Sequence, residues 1–347
     1  MDPLPQYGSH AFIPYLSDPH PTSLAPLTLL NTSTWTYSGP LLAPTSRSLP
    51  PSFHTWCQTT ISGPFLPRLL PFLRFLYAFL RDAGVSHYWL TIRASKPTAE
   101  YNTVRWHTDD IFFDDAGAQG RADDDVAGPN PNNTRVNKST QRAYWKLAAT
   151  LLGPATLFQT SNPRALAAQR AAQRAEAASR SPHTCTTMRC PTCLEAIEAV
   201  RHTMASALAP HATASPAYGS AAFFRLGPDH GAVHSEPACP TDRIFVNVVP
   251  GSEDELRALM ARWGLGFPRS WCFGVPVVFG EGGGVGGEEG RVDCPVGGGD
   301  GGAVESGAVE SGASTSTMSV NLGEEYTEWV NKKGFRFSQV FGGAGDE

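Results

Sequence analysis

Residues 231–251 read GAVHSEPACPTDRIFVNVVPG. Two runs with strand character, GAVHSEP (Gly231 to Pro237) and RIFVNVVPG (Arg243 to Gly251), are separated by only a few residues that include a proline and an aspartate. A gap that short holds a turn and not a crossover helix, so the second strand returns antiparallel to the first. His234 then lies near the end of one strand. Arg243, nine positions on, starts the next.

The same grammar extends outward. SAAFFRLG (Ser220 to Gly227) precedes this pair as a strand. Ser252 and Glu255 follow it as a capping box, opening a helix that reaches about Trp263. Further upstream, HYWLTIRAS (His87 to Ser95), YNTVRWHTD (Tyr101 to Asp109) and YWKLAATLLG (Tyr144 to Gly153) read as strands, and ATLFQT (Ala155 to Thr160) continues after a Gly-Pro break. A buried amphipathic helix is expected from near Pro71 to Arg81, ended by Gly84, and another from Cys193 to Leu208. Arg164 to Arg180 is Ala-rich with almost no apolar face, which predicts an exposed helix or flexible insertion. Many short strands with few intervening helices predict a mainly β (α+β) sandwich or barrel with flanking helices, not a doubly wound sheet.

Around this core the composition shifts. Residues 1–60 are rich in Pro, Ser and Thr and predict an extended wrap. The domain itself spans 61–270, with insertions at 114–141 and 162–200. Residues 280–316 are Gly-rich with an AVESG repeat and predict a disordered insertion. Residues 317–347 regain order signals and are expected to pack on the core.

With 347 residues, 41% of them hydrophobic and 17% charged, the chain can bury a sizeable core. The net charge of −5 and the lack of a Lys/Arg block give no indication of a nucleic-acid surface. The N-terminus carries no secretory pattern. The most apolar stretch, Phe65 to Leu80, is too short and too broken to span a bilayer. A cytoplasmic or nuclear protein with seven reduced cysteines is the expectation, and the sequons at Asn31, Asn132 and Asn137 read as chance matches.

The chemistry sits in WHTDD (Trp106 to Asp110). In a strand, His107 and Asp109 share a face, so an imidazole and a carboxylate can grip one metal ion. Asp110 is the alternative acid, though alternation turns it away from His107. His234 supplies the third ligand, giving the two-histidine, one-carboxylate set of non-haem Fe(II) oxygenases. Arg243, deeper in the same mouth, suits a bidentate grip on a carboxylate.

This order of residues resembles the 2-oxoglutarate- and Fe(II)-dependent dioxygenase superfamily, whose fold is the double-stranded β-helix, or jelly roll. RWHTDD, WKLAATLLGPATLF and GAVHSEP with RIFVNV look like an uncharacterised branch of it, over roughly residues 85–250. The resemblance implies His107, Asp109 and His234 as iron ligands and Arg243 as the group that binds the distal carboxylate of 2-oxoglutarate, with Lys146 as second choice for that role. It implies an oxygenase acting on an unidentified substrate. The long chain between His107 and His234, and Ala155 in a Gly-Pro-x-Thr turn where glycine is expected, depart from the group. Two other readings stay open: a cupin-like metal protein that does not use 2-oxoglutarate, and a non-catalytic barrel serving as a scaffold. His183, Cys185, Cys190 and Cys193 carry one C-x-x-C, read as free thiols before a zinc clip.

Overall fold

A computed structural model describes residues 8–17, 25–113, 144–181 and 190–275. The predicted insertion at 114–141, the Gly-rich run, the C-terminal segment and Cys185 lie outside the described residues.

In chain order the elements are β1 (His10–Pro14), β2 (Thr28–Leu29), β3 (Ser33–Pro40), α1 (Pro51–Thr60), β4 (Ile61–Ser62), α2 (Leu66–Asp82), β5 (His87–Ser95), β6 (Trp145–Leu152), β7 (Leu157–Gln159), α3 (Asn162–Ser179), α4 (Pro191–Leu208), β8 (Thr213–Ala214), β9 (Ser220–Arg225), β10 (His234–Ser235), β11 (Arg243–Gly251), α5 (Glu253–Arg262) and β12 (Arg269–Phe273). Seven strands form one antiparallel sheet in the order β1-β9-β6-β11-β5-β3-β12. A smaller sheet has the order β10-β7-β8, and β2 pairs with β4. The architecture is mainly β with a few helices, as the strand pattern predicts. Among the described residues no helix is long and apolar enough to cross a membrane.

Alternation along the strands explains both faces of the large sheet. Trp35, Tyr37, Leu90, Ile92, Leu147, Phe223, Val246 and Val248 point to one side and bury against Phe53 and Trp56 of α1 and Leu69, Phe72 and Leu76 of α2. The intervening positions include Lys146, Thr150, Arg243 and Asn247, all buried, together with Trp89, Ala148, Phe224 and Val249. This second side packs under Phe158 of β7 and under Leu256, Leu259 and Met260 of α5. The capping box at Ser252 and Glu255 is formed at the start of α5, both bonds present.

Four expectations need correction. The strand that starts at Arg243 does not return alongside the one bearing His234: β10 pairs with β7 in the smaller sheet, while β11 lies between β6 and β5 in the large one. Residues 1–60 are not only a wrap. The alternation of Trp35 and Tyr37 with small polar residues, masked by a Pro/Ser/Thr-rich composition, makes β3, which sits between β5 and β12 inside the sheet. Tyr101 to Asp109 is not a regular strand. It turns at Ala99–Asn102 and touches the smaller sheet through one bridge, His107 with His234. Helix α2 begins a turn before Pro71, which forfeits one backbone bond inside it.

Candidate metal centre

The His107–His234 bridge is the event that builds the site. Each backbone N–H donates to the other residue's carbonyl, both at 2.9 Å. The pairing continues through β10 into β7, with His234 opposite Phe158. The two imidazoles are thereby set side by side, ring centroids 4.5 Å apart. Two residues past His107, the buried Asp109 turns its carboxylate between them. Asp109 Oδ1 lies 3.7 Å from His107 Nε2 and Oδ2 lies 3.6 Å from His234 Nε2. One ligand atom from each residue falls within 4.8 Å of the others, and no other such group of three exists among the described residues. Cys190 and Cys193, at the start of α4, form no such group there.

Both rings are held by their other nitrogen. His107 Nδ1 pairs with the Arg105 carbonyl at 2.7 Å, and His234 Nδ1 with the Ala232 carbonyl at 3.0 Å. A carbonyl can only accept, so each Nδ1 carries the proton and each Nε2 presents its lone pair to Asp109 whenever the ring is neutral. That is the tautomer a metal ligand needs. The residues fit a divalent ion in number, in donor type and in the partners that orient them.

Electrostatics divide the two histidines. Burial pushes His234 down to about 4, the Asp109 charge opposing and His107 and Lys146 reinforcing, so it is neutral at pH 7. Burial also acts downward on His107, but the adjacent Asp109 carboxylate and the charge of Glu236 outweigh it and lift the ring to about 9. Burial would raise Asp109, yet Lys146, His234 and His107 together hold it well below the usual carboxylate range. Without metal, then, Asp109 faces two cations, the His107 imidazolium and the Lys146 ammonium.

This predicts a pH dependence with a definite sign. Metal needs neutral His107, whose proton must leave below a pKa of about 9. Apparent affinity therefore falls as pH falls, by about tenfold per unit through the neutral range, and one proton is released per ion bound at pH 7. Mn(II) titration by calorimetry in buffers of differing ionisation enthalpy measures that proton; affinity independent of pH would contradict the assignment.

Lys146 reaches the site from β6 but does not wait for a ligand. Its Nζ sits 2.7 Å from Asp109 Oδ2, with both side chains buried. It also lies over the rings of Phe112 and Phe224. Arg243 is buried at the start of β11, beside the Gly153–Pro154 turn. Its Nε donates to the Pro154 carbonyl at 2.9 Å and its guanidinium rests on Phe245. Burial pulls it down to about 10, which still leaves it charged at neutral pH. The acid left open, Asp110, is outside the ligand group.

One residue missed by the sequence reading joins the two ends. Burial alone would raise Glu236, but the His107 charge and a backbone hydrogen bond, with smaller contributions from His234 and Arg93, bring it down to about 2. It also acts on Arg243. Its position two residues past His234 is the periodic signal that could have found it.

No protein-family model, curated protein or solved structure matches this chain. The case for the site therefore stands on its own geometry. Gly231 gives that geometry a stringent check. A Cβ built there would lie 2.3 Å from the Gly227 carbonyl oxygen, the same oxygen that accepts the Gly231 N–H. Gly231→Ala must displace the segment leading into His234. We expect metal affinity to fall at least tenfold by analogy with the loss of ligand-orienting contacts, measured by Mn(II) calorimetry.

Proposed function

We propose that this chain is an Fe(II)- and 2-oxoglutarate-dependent oxygenase, built on a jelly-roll core, that oxidises an as yet unidentified substrate. The observation that carries the reading is the His107–Asp109–His234 group, with Asp109 and His234 buried and both Nδ1 atoms already committed to backbone carbonyls. Two imidazoles and one carboxylate leave open positions on a six-coordinate ion, as an oxygenase needs for a chelating cosubstrate and for oxygen. Bound iron would supply the redox chemistry that couples decarboxylation of 2-oxoglutarate to oxidation of the substrate.

The chain's own residues do the rest. His107 gives up its proton on metal binding. His234 is neutral beforehand. Lys146 holds Asp109 Oδ2 and so leaves Oδ1 as the freer oxygen. Arg243 has its guanidinium fixed by Pro154 and Thr156, and a fixed planar cation is suited to a terminal carboxylate. Phe158 and Phe224 pack against His234 and keep that side of the site apolar.

A second reading has its own support. The contacts to Pro154 and Thr156 and the nearby Glu236 are sufficient to explain Arg243 as a structural cation, which suits a cupin-like metal protein that does not bind 2-oxoglutarate. Anaerobic titration of 2-oxoglutarate into the Fe(II) form separates the two. The oxygenase reading expects a visible charge-transfer band, succinate formation in air, and loss of both in His107→Ala. Arg243→Met should keep iron but weaken 2-oxoglutarate at least tenfold, about the 1.5–3 kcal/mol of a charged hydrogen bond. Iron binding with no response to 2-oxoglutarate would leave the cupin-like reading standing.

A further inference from the structure

The helix expected to be an exposed insertion touches both halves of the site. Helix α3 buries Asn162, Ala165, Leu166, Gln169 and Ala172. Its alanines let it approach closely, and Ala165, Leu166 and Ala172 join Trp106 and Val233 in one apolar cluster with Met204 and Leu208 of α4. Trp106 and Val233 each immediately precede a histidine of the site.

Two polar side chains on this helix complete the contact. At its first turn, Asn162 Oδ1 accepts the Val233 N–H at 2.7 Å, and Nδ2 donates to the Gly231 carbonyl at 2.9 Å. One side-chain amide thus does what a neighbouring strand would do for the segment entering His234. Two helical turns later, on the same face, Gln169 Nε2 donates to Thr108 Oγ1 at 3.0 Å. Thr108 stands between His107 and Asp109. Both amides are buried, and Gln169 Oε1 finds no partner among the described residues. A buried amide that is only half satisfied is costly, so apolar packing alone does not account for its use there.

We propose that Asn162 and Gln169 are positioning residues for the metal centre: α3 acts as a rigid spacer that fixes the segment bearing His234 against the segment bearing His107 and Asp109. This rests on the metal assignment above, but it concerns residues outside the ligand set. Loss of such outer partners costs metal sites about 10- to 100-fold in affinity.

The test compares wild type with Gln169→Met, which keeps length and packing, Gln169→Glu, which can accept from the Thr108 hydroxyl and so restores the link with reversed polarity, and Asn162→Ala. Each is titrated with Co(II), whose visible spectrum reports ligand geometry, and each metal-free form is melted by circular dichroism. We expect Gln169→Met to melt within a few degrees of wild type, to bind Co(II) about tenfold more weakly and to change the visible bands, with Gln169→Glu recovering the wild-type bands. Asn162→Ala should lose more affinity. Wild-type affinity and spectrum in both Gln169→Met and Asn162→Ala would overturn the positioning role while leaving the metal site standing. A wild-type protein that takes up no Co(II) would overturn the metal assignment and this role together.

Discussion

Asp109→Ala will abolish metal binding and will also destabilise the metal-free fold by about 3–5 kcal/mol, the usual consequence of stranding one member of a buried ion pair. The stranded group is Lys146. Its ammonium loses a carboxylate at 2.7 Å and sits with a side chain only 9% exposed, over two phenylalanine rings. A ligand that serves only a metal would behave differently, because its removal should leave the metal-free protein as stable as before. The double variant Asp109→Ala/Lys146→Met separates the two roles. It should recover most of the lost stability, since neither charge remains buried, while metal binding stays absent. Chemical denaturation of the metal-free proteins reads the first effect and Mn(II) calorimetry the second. An Asp109→Ala protein as stable as wild type would show that the pair is screened by solvent and that Lys146 does not depend on Asp109.

The second large effect belongs to Gly153. Its φ of +79° is left-handed, and a Cβ there would lie 2.5 Å from the Asp242 carbonyl oxygen and 3.1 Å from Arg243 Cα. Asp242 in turn accepts the Leu29 N–H at 2.7 Å and faces Lys96 at 3.2 Å, so the crowded backbone is tied to two other segments and cannot retreat freely. Gly153→Val adds a β-branched side chain to a conformation it avoids. The left-handed backbone and the overpacking together should cost about 3 kcal/mol or more, a fall in melting temperature of roughly 4 °C or more for a chain of this size. Because the clash falls on Asp242 and Arg243, the 2-oxoglutarate binding proposed above should weaken in whatever protein remains folded. A Gly153→Val protein that melts with wild type would mean that the β6–β7 turn does not press on the start of β11.

The residues divide sharply in how much of this they disclosed beforehand. Strands β5, β6, β9 and β11 are buried on both faces of the large sheet, so their sequences are dense in Val, Ile, Leu and aromatic residues and announce themselves. The capping box at Ser252 is a purely local interaction and is equally plain. Strand β3 is hidden because its second face carries Thr34, Thr36 and Ser38, which look like loop residues until the sheet that buries them is known. The burial of helix α3 is hidden for a related reason. Alanine gives a weak hydrophobic stripe, yet small side chains suit a helix pressed close to the ligand-bearing segments. His107, Asp109 and His234 can be picked out from residue type and order, although no regular strand carries His107 and Asp109. A single bridge between His107 and His234 sets the site. The pairing of Lys146 with Asp109 is long-range, and nothing local to either residue announces it.

If His107, Asp109 and His234 bind one metal ion together, the loss of any one of them should empty the site. Equilibrium dialysis of the protein against Fe(II) under anaerobic conditions tests it most directly, using wild type, His107→Ala, His234→Ala and the stability-compensated Asp109→Ala/Lys146→Met. One iron per wild-type chain is expected, and none above background in each of the three variants. Equal iron in wild type and any folded variant would contradict it.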